Sequence, residues 1–188
     1  MKGYRKEELS GVQRGLRSGI NWIVDILMVL ILAVLVFRFY GDRTTMVGSS
    51  MKPVLESNDI VLLDELCYTF HAPKRCDVVS FVVETKIGET HYIKRIIGLP
   101  GETVQIADGL VLINGKCPDA EDPLYQASIP GDASEPVKLG ENEYFVLGDN
   151  RTSSEDSRFS NVGNVTFEQI EGRLWLLIDP FVRMGLIR

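Results

Sequence analysis

His91-Tyr92-Ile93-Lys94-Arg95-Ile96-Ile97 is rich in β-branched and aromatic residues, holds no glycine or proline, and has the length of an ordinary strand. Asp77-Val78-Val79-Ser80-Phe81-Val82-Val83 precedes it with the same character, so the two predict neighbouring strands. Working outward, Ile60 to Leu63, Thr103 to Ile106, Leu110 to Ile113, Glu143 to Leu147 and Gly172 to Ile178 repeat the pattern between turn residues. Asp108-Gly109 and Asn114-Gly115 are tight-turn signals, because these residues tolerate the positive φ that type I′ turns need. They predict a small hairpin around Leu110 to Ile113. Pro118 to Pro136 is Pro-, Ala-, Ser- and acid-rich without a clear period, and residues 117–138 are expected to form a surface excursion. A short helical turn is expected near Phe167-Glu168-Gln169-Ile170. The fold class is mainly β, an antiparallel-sheet domain with one N-terminal helix.

That helix comes from Ile20 to Tyr40, which is apolar except for Asn21, Asp25 and Arg38. As a helix, 21 positions span about 31 Å, the thickness of a bilayer's hydrocarbon core. Asn21 and Asp25 lie in its first turns beside Trp22, where head groups and water are within reach. Arg38-Phe39-Tyr40-Gly41-Asp42-Arg43 follows without a small-x-small cleavage site, so the segment is expected to remain as an uncleaved signal anchor. Lys2, Arg5, Lys6, Arg14 and Arg17 precede it, against Arg38 and Arg43 after it, which favours a cytoplasmic N-terminus. The expected division is 1–19 cytoplasmic, 20–40 transmembrane and 41–188 extracytoplasmic, in the cell membrane and in contact with lipid.

Residues 1 to 43 carry +3, leaving −9 for residues 44 to 188 of the total −6. An acidic domain without a basic stripe repels phosphate, so no nucleic-acid partner is expected. Cys67, Cys76 and Cys117 show no C-x-x-C pair and no zinc-like spacing, so no metal or cofactor is expected. In an oxidising exterior Cys67 and Cys76 flank one loop and are the pair that could bridge.

Three polar stretches stand out against the apolar pattern. Gly48-Ser49-Ser50-Met51-Lys52-Pro53 lies about ten residues beyond the apolar segment, Lys94 sits inside an apolar strand, and Gly148 to Arg158 is a dense polar loop directly after a strand. A serine hydroxyl becomes a nucleophile when a neighbour takes its proton, and a lysine serves if desolvation lowers its pKa. Residue chemistry by itself does not choose between Ser49 and Ser50. Taken singly, each stretch is also what a turn, a snorkelling lysine or a solvated loop would look like.

Together, Ser50-Met51-x-Pro53, Tyr92-Ile93-Lys94-Arg95 leading into Gly98-Leu99-Pro100-Gly101-Glu102, and Gly148-Asp149-Asn150-Arg151 through Ser154 to Asp156-Ser157-Arg158 resemble the ordered signature boxes of bacterial type I signal peptidases. Asp77-Val78-Val79 resembles the family's intervening strand box. The resemblance implies a membrane-anchored serine endopeptidase of the Ser/Lys type that cleaves N-terminal signal peptides from exported preproteins after small residues. In it Ser50 is the nucleophile and Lys94 the general base, Ser154 orients the lysine amine, and Asp149, Asp156, Arg95 and Arg158 tie loop and strand through ion pairs. The oxyanion is expected at the backbone N–H of Ser50 and the Gly48 region. Gly48 stands where one branch of the family has a serine, so a side-chain donor is absent there, as in Gram-positive-type members. Cys76 and Val54 depart from the more usual Gly and Thr, away from the proton-transfer positions. Met51, His91, Tyr92 and Ile93 are the expected substrate wall, with the substrate added as a strand beside the lysine strand. Implied partners are preproteins bearing signal peptides, the bilayer, and an export translocon nearby. The alternatives are a dedicated processing peptidase of the same clan and an anchored β module without catalysis.

Overall fold

The structure, a computed structural model, describes residues 19–34, 42–85 and 88–187. The chain divides into two units, Met1–Gly41 and Asp42–Arg188. In the first, residues 19–34 are helical (α1) with side chains exposed along the stretch. Among the described residues no helix is long and apolar enough to cross a membrane. The expected cytoplasmic segment up to residue 18, and positions 35–40 of the expected span, lie outside the described residues.

The second unit is antiparallel β. Its larger sheet runs β1 (Arg43–Thr45), β2 (Ile60–Asp64), β10 (Ile170–Asp179), β3 (Val78–Thr85), β4 (Gly88–Gly98), β8 (Glu143–Leu147), β9 (Val165–Thr166), with β11 (Gly185–Leu186) also paired to β10. A smaller sheet orders β6 (Leu110–Ile113), β5 (Thr103–Ala107), β7 (Val137–Lys138). The expected strands are all present. Asp108, Gly109, Asn114 and Gly115 have the positive φ their turn signals require, and Phe167–Gln169 is the expected helical turn, in 3-10 form.

The centre of the larger sheet is covered on both faces, which explains why β3 is apolar at five of its eight positions, on both of its faces, instead of alternating. One face packs Val78 and Ile93 with Met46, Met51, Leu55 and Val61; the other packs Val79, Phe81 and Ile96 with Tyr144, Val146 and Val165. A third cluster joins the smaller sheet to the excursion through Tyr125, Ala127 and Ala133. The excursion is therefore fastened to the domain, by two 3-10 turns and small side chains too irregularly spaced to show a period. A four-residue helix, α2 (Cys67–Phe70), occupies the loop before β3. Cys67, Cys76 and Cys117 are all free thiols, and the Cys67 thiol donates to Asp64 O at 3.0 Å.

Candidate active site

The serine turn is set by its backbone and held from beneath. Gly48 has φ +89, and a Cβ there would meet nothing within 4 Å, so the dihedral and not space selects glycine. Two residues later the chain tightens: Lys52 N donates to Ser49 O at 3.2 Å and Leu55 N to Met51 O at 2.9 Å. Met51 and Leu55 are fully buried and pin this turn to the core. Met51, expected in the substrate wall, is packed in the cluster that also holds Ile93.

Lys94 lies on β4 at 3 % exposure. Its Nζ is 3.0 Å from Ser50 Oγ and 3.1 Å from Ile93 O, within the distance at which a proton can pass. The Tyr92 ring, stacked on Phe81, has its centroid 5.3 Å from the same Nζ. Burial pulls the lysine down to about 8, and the negative charges of Asp156 and Glu155 partly oppose that shift. At neutral pH a useful fraction of Lys94 is then a free base.

The polar loop after β8 supplies the frame. Arg95 Nε and Nη2 bind the two carboxylate oxygens of Asp149 at 2.8 and 2.6 Å. Arg158 grips Asp156 in the same two-pronged way at 2.8 and 2.9 Å, with both side chains fully buried. Asp156 Oδ2 also accepts from Gly148 N at 3.0 Å. The Arg95–Asp149 pair joins β4 directly to the loop, and the Arg158–Asp156 pair closes the loop on itself. The expected hydrogen bond from Ser154 to the lysine amine is not formed: Ser154 Oγ is buried without a partner.

Three residues in this frame had no role assigned from sequence. Asn150 clamps the serine turn, its N donating to Ser50 O at 2.9 Å and its Nδ2 to Ser49 O at 3.1 Å. Gly148 is mandatory, since a Cβ would lie 2.2 Å from Ser154 Oγ and 2.5 Å from Ser50 O. Arg151 donates to Gly148 O, Gln126 O and Leu124 O, tying the loop to the excursion. Their signal was their place inside the third polar stretch, but contacts spanning about a hundred residues have no local signature.

β4 pairs with β3 along its length but with β8 only from Arg95 to Gly98. No described strand takes its other edge over residues 89–94. A cleft of about 390 Å³ opens there, between that edge and residues 44–50, with Ser50 and Lys94 in its wall. His91, Tyr92 and Ile93 line it, as does Ser80.

A serine hydroxyl in contact with a buried lysine, beside an open strand edge in an antiparallel β domain, is the equipment of a serine peptidase. Residues 19–178 match the family described as signal peptidase, peptidase S26. A probable signal peptidase I-2 of Synechocystis sp. is 36% identical over 162 residues, covering 84% of this chain and 72% of that one. Signal peptidase I T of Bacillus subtilis is 34% identical over 174 residues, covering 88% of each. A solved signal peptidase I from Enterococcus faecalis is 32% identical and aligns over 55% of this chain and 97% of its own, with a TM-score of 0.45. The chain belongs to the signal peptidase family, peptidase S26, and is a serine endopeptidase.

Proposed function

We propose that this peptidase removes N-terminal signal peptides from exported preproteins, with Ser50 as nucleophile and Lys94 as general base. The observation that carries the assignment is the 3.0 Å contact between Ser50 Oγ and a lysine whose burial lowers it to about 8. Neutral Lys94 takes the serine proton as Oγ attacks the scissile carbonyl, then returns it to the departing amine, and water hydrolyses the acyl-enzyme. The oxyanion is held by the backbone N–H of Ser50 with the Gly48 region. The substrate lies as a strand along the free edge of β4, presenting small side chains at the first and third positions before the cut. Ser154, whose buried hydroxyl has no partner, orients the lysine amine when substrate is bound.

Residues 20–40 form the anchor of this reading, with 1–19 cytoplasmic and 41–188 outside, beside lipid and the export machinery. Its support is the apolar composition and the basic lead-in. The test is cleavage of a preprotein in detergent, with the cut site read by mass spectrometry. Ser50→Ala and Lys94→Ala should each abolish cleavage while circular dichroism stays that of the wild type. Full activity in either variant refutes the assignment.

A further inference from the structure

A second polar cluster lies at the cleft, separate from the Ser50–Lys94 pair. Ser80 Oγ donates to Glu171 Oε2 at 2.6 Å, and His91 Nδ1 lies 3.0 Å from Glu171 Oε1. Ser80 and His91 line the cleft, with Glu171 bridging behind them from β10. Ser80 is 3% exposed while the His91 side chain is 60% exposed, so one group forms the floor and the other the rim.

The carboxylate dictates what Ser80 can offer. The Glu171 carboxylate accepts, so Ser80 commits its one O–H to it. What Ser80 leaves for a ligand is the lone pairs of its Oγ. The buried floor therefore presents a hydrogen-bond acceptor and no donor. An apolar side chain of the same size would leave that acceptor dry and unpaired, whereas a hydroxyl satisfies it.

Strand geometry selects the substrate position. Ser80 stands opposite Ile93 and Val82 opposite His91 in the β3–β4 register, so Ser80, Ile93 and His91 share one face. A substrate strand along the same edge, cut beside Lys94, brings to that face the residue before the cut and the residue two further back. The cluster lies at the far end, toward His91. Resting on the signal-peptide reading above, we propose that Ser80, its O–H held by Glu171, forms a buried acceptor subsite beside His91 that selects a small hydrogen-bond donor, serine or threonine, at the third position before the cut.

The experiment uses full-length enzyme in detergent and one preprotein carrying Thr, Val, Ser or Ala at that position, with the first position varied as a control. Threonine and valine have the same shape, so their kcat/KM ratio isolates the hydroxyl. One hydrogen bond corresponds to about a fivefold preference for Thr over Val in the wild type. In Ser80→Ala the ratio should fall to about one. No preference in the wild type, a preference unchanged in Ser80→Ala, or a preference at the first position instead overturns the subsite. Loss of all cleavage dependent on Ser50, read against Ser50→Ala, overturns the underlying reading, and the subsite with it.

Discussion

Replacing Lys94 with methionine separates what the buried amine does for the reaction from what it costs the fold. The ordinary lysine value is 10.5 and the folded value about 8, so between those limits the unfolded chain binds more protons than the folded one. Stability then rises with pH across that window, and at pH 7 the wild type carries a penalty of about 3 kcal/mol for burying the cation. By pH 9.5 the penalty has fallen to about 1.4 kcal/mol, because much of the unfolded advantage has been titrated away. Lys94→Met removes the penalty at every pH and also removes the hydrogen bonds to Ser50 Oγ and Ile93 O, a loss of about 1 kcal/mol each. The variant should therefore be inactive, yet more stable than the wild type by about 1 kcal/mol at pH 7. That advantage should shrink by about 2 kcal/mol on going to pH 9.5 and change sign. Thermal unfolding of both full-length proteins in one detergent reads this as a closing Tm gap of about 4–8 °C. The hydrogen-bond losses are the same at both pH values and cancel in the comparison. A Tm difference that does not move with pH refutes the buried, depressed lysine, as does a wild-type kcat/KM whose acid limb lies near 10 instead of near 8.

Two further outcomes follow from the frame around the pair. Gly148→Ala places a methyl within 2.2 Å of Ser154 Oγ and 2.5 Å of Ser50 O; moving the serine turn by even 1 Å should lower kcat by about a hundredfold, measured on a preprotein at saturation. Arg95→Met strands the buried Asp149 carboxylate and should lower stability by about 3–5 kcal/mol in urea unfolding, while adding Asp149→Leu to it should recover most of the loss.

The parts of the fold visible in the sequence are those with local causes. The long strands are dense in β-branched residues, and the Asp108-Gly109 and Asn114-Gly115 turns carry their dihedral requirement in residue type. β1, β7, β9 and β11 are two or three residues long, too short to display any period, and exist because a longer neighbour offers them hydrogen bonds. The site divides along the same line. Ser50 and Lys94 stood out only jointly, since a turn serine and a strand lysine are each commonplace. The bond from Ser80 to Glu171, 91 residues away, and the Asn150 clamp on the serine turn depend on which strands become neighbours, which no short window contains.

Arg151 and Arg158 reach into residues 124–129 of the excursion, and every bond they make there ends on a main-chain carbonyl: Leu124 O, Gln126 O and Ile129 O. A carbonyl is the same whatever residue bears it. The exposed positions of the outer segment can therefore exchange their side chains, altering the face it shows to its surroundings, while Tyr125 and Ala127 keep it packed and the loop that frames Ser50 and Lys94 keeps the same anchorage. Surface identity and catalytic rigidity are uncoupled at this junction, which leaves the excursion free to diversify at little risk to the chemistry it supports.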